Sequence, residues 1–188
     1  MEDETTRSIN AFLKRRIYSD FDRETLAQIP DDKLEQAILD HVIQRIGKPF
    51  DRELEVVTAL SPGVRAIYTT LIVENEVDNG GFNHYFWNSE GRLAQLAIAG
   101  FHRIGASAYA EVMQRAVLMY SREKPVLETF KEEGTLEAYS ESCEYTEFGD
   151  LDREFFALSD IRRLGDLRIA YIRSHPDEFV TTRSHEQK

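Results

Sequence analysis

The run Asn79-Gly80-Gly81-Phe82 restricts the possible folds of this chain more than any other four residues. Glycine in a helix interior costs about 1 kcal/mol relative to alanine, so two in succession stop a helix. Asn79 or Gly80 can adopt the left-handed conformation that satisfies the last helical carbonyls. Upstream, Ser61-Pro62 reads as an N-cap followed by proline at the first helical position. From there to Asp78, Val64, Ile67, Tyr68, Leu71, Ile72 and Val73 recur at helical spacing. Downstream, Phe82, Tyr85 and Phe86 resume that spacing in a short aromatic helix ending near Asn88 to Gly91. The pattern predicts a helix corner. Gly80 and Gly81 make the turn, Gly81 lets the second helix approach a neighbour, and Phe82 supplies the apolar contact beneath it.

The rest of the chain also has helical periodicity. Residues 5–18 form an amphipathic helix with Ile9, Phe12, Leu13 and Ile17 on one face and Lys14, Arg15 and Arg16 around the other. Asp31 or Asp32 caps a helix carrying Leu34, Ala37, Ile38, Val42 and Ile46, which Gly47-Lys48-Pro49 stops. Further helices are expected over residues 51–60, 92–103, 106–120, 123–133 and 151–174, the last breaking around Ser159-Asp160. Its apolar positions are Phe155, Leu158, Ile161, Leu164, Ile169 and Ile172. Residues 134–150 have no clean period and read as a loop. No alternating strand pattern is found. The expectation is an all-α fold: one compact multi-helix domain over residues 50–180, an N-terminal helical pair over 1–49 as an extension, and a polar tail over 181–188.

Two readings fit the polar residues at the corner. In one they are the solvent side of a helix turn. In the other Glu74, Asp78, Asn79, Asn83, His84 and Asn88 line a polar pocket, since Glu74 and Asp78 are four apart and share a helix face. Glu74, Asp78 and His84 are acceptable metal ligands, but such trios arise often by chance, and no metal site is assigned. No metalloprotease, paired-cysteine, Walker or nucleophile-elbow motif is present. The segment from Gly100 to Gly105 has the glycine spacing of a phosphate loop without the Lys-Ser/Thr that should follow, and reads as a helix cap. Cys143 lies among acids, which disfavour its thiolate. A non-enzymatic protein without cofactor is expected. The acidic N-terminus with no apolar stretch behind it, and the lone cysteine, predict a cytoplasmic chain.

The charge is unevenly distributed. Net charge is −11 with pI about 5.0, which disfavours direct binding to nucleic acid or an anionic membrane. Residues 125–160 carry most of it, with eleven acidic residues against two basic ones. The candidate partner-binding residues are Glu128, Glu132, Glu133, Glu137, Glu141, Glu144, Glu147, Asp150, Asp152 and Glu154, with Tyr139, Tyr145 and Phe148 interspersed as apolar contacts. The plain alternative is a solvated acidic loop that keeps the protein soluble.

The stretch from Val73 to Gly91 resembles the signature of a bacterial family of acidic proteins named for a DNA mimic. Glu74, Asn79 to Phe82, Tyr85 to Trp87, Asn88 and Gly91 carry the resemblance. A second block follows at Leu151-Asp152, Phe155-Phe156, Tyr171-Ile172 and His175 to Phe179, so that about residues 55–180 are covered. His84 departs from the glutamine expected there. The resemblance implies an all-α protein whose acidic surface occupies the DNA-binding surface of a transcription factor or other basic nucleic-acid-binding protein. Two other classes fit the same sequence: a toxin-neutralising or stress-defence protein with one specific partner, and a small-molecule or metal-binding domain at the Asn79–Phe82 corner. The aromatics from Phe82 to Trp87, or the first helix, are also compatible with a dimer contact.

Overall fold

A computed structural model describes residues 3–181. The expected tail lies outside the described residues beyond Thr181. Ten α-helices run in the order α1 (Glu4–Leu13), α2 (Arg23–Gln28), α3 (Asp31–Ile46), α4 (Glu53–Ala59), α5 (Pro62–Ser89), α6 (Ala94–Arg103), α7 (Ser107–Glu133), α8 (Leu136–Tyr145), α9 (Gly149–Ile161) and α10 (Leu164–Ser174). Short 3₁₀ turns at Phe50–Arg52 and Pro176–Glu178 complete the described chain, which contains no strand. The all-α reading is the fold observed.

The central helix is α5. It begins as the sequence indicates, with the Ser61 hydroxyl accepting the Val64 N–H at 3.4 Å and Pro62 in the first turn. It packs most closely on α6. A Cβ on Gly100 of α6 would stand 3.1 Å from the Ala66 backbone and equally close to Thr69 and Thr70. Gly100 is therefore the small residue that seats two helices against each other, and not a cap; the C-cap of α6 is Ile104, followed by Gly105 with φ +77°. Helix α7 packs on α6 and also reaches α5, and α3, α9 and α10 close the bundle. One continuous core results, with Ile38, Val42, Ile67, Val73, Phe82, Phe101, Met113 and Phe155 all at 2% exposure or less.

Several boundaries differ from the periodic reading, each for a physical reason. Helix α7 is a single 27-residue helix where two were expected; Pro125 inside it removes one N–H bond without ending it. Helix α3 starts at Asp31 with Pro30 before it and no side-chain cap, so Asp31 and Asp32 act by charge in its first turn. Residues 136–145 are helical, not a loop. Thr135 caps them by accepting the Ala138 N–H at 3.1 Å, and the inner face buries only the small Ala138 and Ser142, too weak a stripe to show as a period. The final break falls at Arg162-Arg163, and Ile161, expected inside, is 81% exposed there.

The apolar side chains of α1 and of the segment after it are not buried in the bundle. Ile9, Phe12, Leu13 and Ile17 are all exposed. The connection behind α1 is held by Arg15, which donates from Nε and Nη2 to the buried carboxylate of Asp40 at 2.6 Å each.

Candidate functional site

The glycine corner is a kink rather than a gap. Helix α5 continues to Ser89, but Gly80 (φ −177°, ψ 29°) and Gly81 (φ +73°, ψ −174°) leave helical geometry. The kink strips the Phe82 N–H of its helical acceptor. Asp152, at the start of α9, replaces it, its Oδ1 accepting that N–H at 2.8 Å. A Cβ on Gly81 would fall 2.5 Å from the other carboxylate oxygen. Gly81 is thus required twice, by its positive φ and by the carboxylate against it. Burial raises the Asp152 pKa, and the Phe82 N–H works against that rise. Asp152, counted with the acidic stretch in the sequence, is tied to the corner instead.

The structure distributes the polar residues of the corner over four surroundings. Glu74 and Asp78 face α10. There Arg168, only 1% exposed, donates through Nη2 to Glu74 and through Nε to Glu35 of α3, while Nη1 has no partner. Burial raises the Glu74 pKa, and one guanidinium shared with Glu35 does not offset it; burial also raises that of Asp78. Asn83 is buried toward α8, donating to Ser142 Oγ at 3.0 Å and accepting from Thr146 Oγ1 at 3.1 Å. His84 and Asn88 meet at Glu76, with His84 Nδ1 at 3.0 Å and Asn88 Nδ2 at 2.7 Å from its Oε2. Asn79 is exposed. Glu74, Asp78 and His84 therefore do not converge as a metal trio, and no other such group of His, Cys, Asp and Glu occurs among the described residues.

Along the acidic stretch every candidate except Asp152 is exposed. Three have ion-pair partners: Glu128 with Lys124 at 3.5 Å, Asp150 with Arg153, and Glu154 with Arg115 of α7. Glu132, Glu133, Glu137, Glu141, Glu144 and Glu147 have no ion-pair partner among the described residues. Glu137, Glu141 and Glu144 follow the i, i+4, i+7 spacing of one helix face on α8. The end of α7, bearing Glu128, Glu132 and Glu133, packs beside α8. The apolar contacts expected here need correction. Phe148 is buried at 1% exposure with its ring 5.5 Å from Phe86, and Tyr139 packs on Trp87 and His84. Tyr145 at 64% and Leu136 at 76% are the large apolar side chains left exposed beside the carboxylates.

Arg168 was not singled out in the sequence, although a signal was present. It lies in the stripe Leu164, Leu167, Arg168, Tyr171, Ile172, so a cation occupies a position of the buried face of α10.

Among the described residues no helix is long and apolar enough to cross a membrane. No curated protein and no solved structure matches the chain. A family model described as DMP19-like protein matches residues 58–175, which include the kinked helix, the acidic stretch and Arg168. The match spans more than half of the sequence, and the chain belongs to the DMP19-like protein family.

Proposed function

We propose that this protein is a non-enzymatic DNA mimic, whose acidic face on α7 and α8 occupies the DNA-binding surface of a basic protein. The reading is supported chiefly by the unpaired row Glu137, Glu141 and Glu144, exposed on a short helix inside the family match. Carboxylates that pair with nothing at home are available to a partner's Lys and Arg. At about 1.5 Å of rise per residue, three charges over one face of α8 give roughly one per 5 Å of helix axis. A single DNA strand carries one per about 3.4 Å. One helix falls short of a strand, and the reading therefore adds the exposed Glu132 and Glu133 at the end of α7, the helix that packs beside α8. Tyr145 and Leu136 add apolar contact at its edges.

The test is capture of partners from native cell lysate on the immobilised protein at about 50 mM and about 500 mM salt, followed by competition of the captured protein with duplex DNA. Surface charge pairs are screened over about 10 Å at 0.1 M salt, so binding is expected to fall steeply with salt. Duplex DNA is expected to displace the partner, and reversal of Glu137, Glu141 and Glu144 to lysine to abolish capture. Capture that survives either high salt or charge reversal overturns the reading.

A further inference from the structure

Between α3, α5, α9 and α10 lies a cavity of about 320 Å³ whose wall carries both signs of charge. Arg168 forms part of that wall, with Nε and Nη2 committed to Glu35 and Glu74 and Nη1 buried without an acceptor. Buried polar nitrogens are nearly always satisfied, so Nη1 calls for an oxygen. At the same cavity Asp78 and Arg163 are exposed, and neither has an ion-pair partner among the described residues. Tyr109, 3% exposed, and Phe156, 43% exposed, supply an aromatic wall. The cavity therefore combines a buried guanidinium nitrogen without an acceptor, an exposed carboxylate and an exposed second guanidinium, beside apolar surface. Its volume is at the lower end of small-molecule sites, sized for a metabolite of amino-acid dimensions rather than a nucleotide.

We propose that this cavity binds a zwitterionic small molecule, an α-amino acid with an aromatic or aliphatic side chain. Its carboxylate accepts from Arg168 Nη1 and Arg163, its ammonium lies between Glu74 and Asp78, and its side chain covers Tyr109 and Phe156. Such a site is independent of the acidic face on α8, so it stands or falls apart from the mimicry reading.

The test is calorimetric titration and thermal shift on the full chain at pH 7, with L-phenylalanine and L-leucine as probes. Two analogues each keep one charge: 2-phenylethylamine and 3-phenylpropionate. Saturable binding of at least one amino acid is expected, with each singly charged analogue weaker by roughly tenfold or more, the loss of one charge-assisted contact. Arg163→Gln alters an exposed group and is expected to weaken binding without changing the melting temperature of the free protein, and Asp78→Asn is expected to weaken binding as well. No saturable signal from either amino acid up to about 10 mM, well above a millimolar Kd, overturns the proposal. So does either analogue binding as tightly as the amino acid, or binding unaffected by both substitutions.

Discussion

Around Arg168, two carboxylates share one guanidinium behind the surface; along α8, three carboxylates stand in water with no partner. The residue types are the same and their burial is opposite. In the first region desolvation sets the energetics. Glu74 is harder to ionise than in water, and the whole cluster depends on the single cation that three helices share. In the second, solvent screens the carboxylates from one another, and they cost the fold little while remaining free to act elsewhere. Charge content alone does not separate a structural acid from a functional one; the surroundings do.

The largest expected effect comes from breaking the first region. Arg168→Met leaves Glu35 and Glu74 partly buried with no cation, and should lower the unfolding free energy by about 3–5 kcal/mol in denaturant titration. A loss below 1 kcal/mol would show that water already satisfies these carboxylates. Next is Asp152→Ala, which separates the acid at the corner from its exposed neighbours. It strands the Phe82 N–H and should cost about 1–3 kcal/mol. Glu141→Ala, in the same acidic stretch, should stay within about 0.5 kcal/mol of wild type.

A smaller effect distinguishes the two regions by pH. The folded pKa of Glu74 lies above its ordinary 4.5, so the folded state holds the proton more tightly than the unfolded chain. That contribution to stability is full at low pH and is lost as pH rises through the folded value. The melting temperature of wild type relative to Glu74→Gln should therefore increase as pH falls from neutrality toward 4.5. Using the difference cancels His41, whose pKa burial lowers and whose effect has the opposite sign. A flat difference would place Glu74 with the solvated acids. The smallest effect on the fold belongs to Glu137→Gln, Glu141→Gln and Glu144→Gln together, which should leave the melting temperature nearly unchanged while weakening partner capture severalfold.

Most of the helical frame could be read from the sequence, because apolar residues at spacings of three and four write it directly, as Leu34 to Ile46 show. The place of the kink could be read for the same reason, since two glycines interrupt a strong pattern, but its left-handed residue is Gly81 and not Asn79 or Gly80. Helix α8 could not, since its buried face is Ala138 and Ser142 and its period is carried by charge. Asp152 could not be distinguished from its acidic neighbours, because only the fold brings α9 to the Phe82 N–H, 70 residues away in the chain. Arg168 was legible in principle, as a cation within an apolar stripe. Its two acidic partners, on α3 and α5, were not, since nothing local links Glu35 or Glu74 to α10.

The modest footing of α8 has a further consequence. Toward the core the helix buries two small residues, Tyr139 packs on Trp87 and His84 of α5, and a polar weld to α5 runs through Asn83, Ser142 and Thr146. Its outward positions answer to no packing constraint. On the proposed reading such an element is a replaceable cassette: the outer face of α8 can change, and its partner with it, while the bundle beneath keeps its sequence. Variation among relatives should then concentrate at positions 137, 141 and 144 and spare 138 and 142, so that specificity drifts independently of the fold.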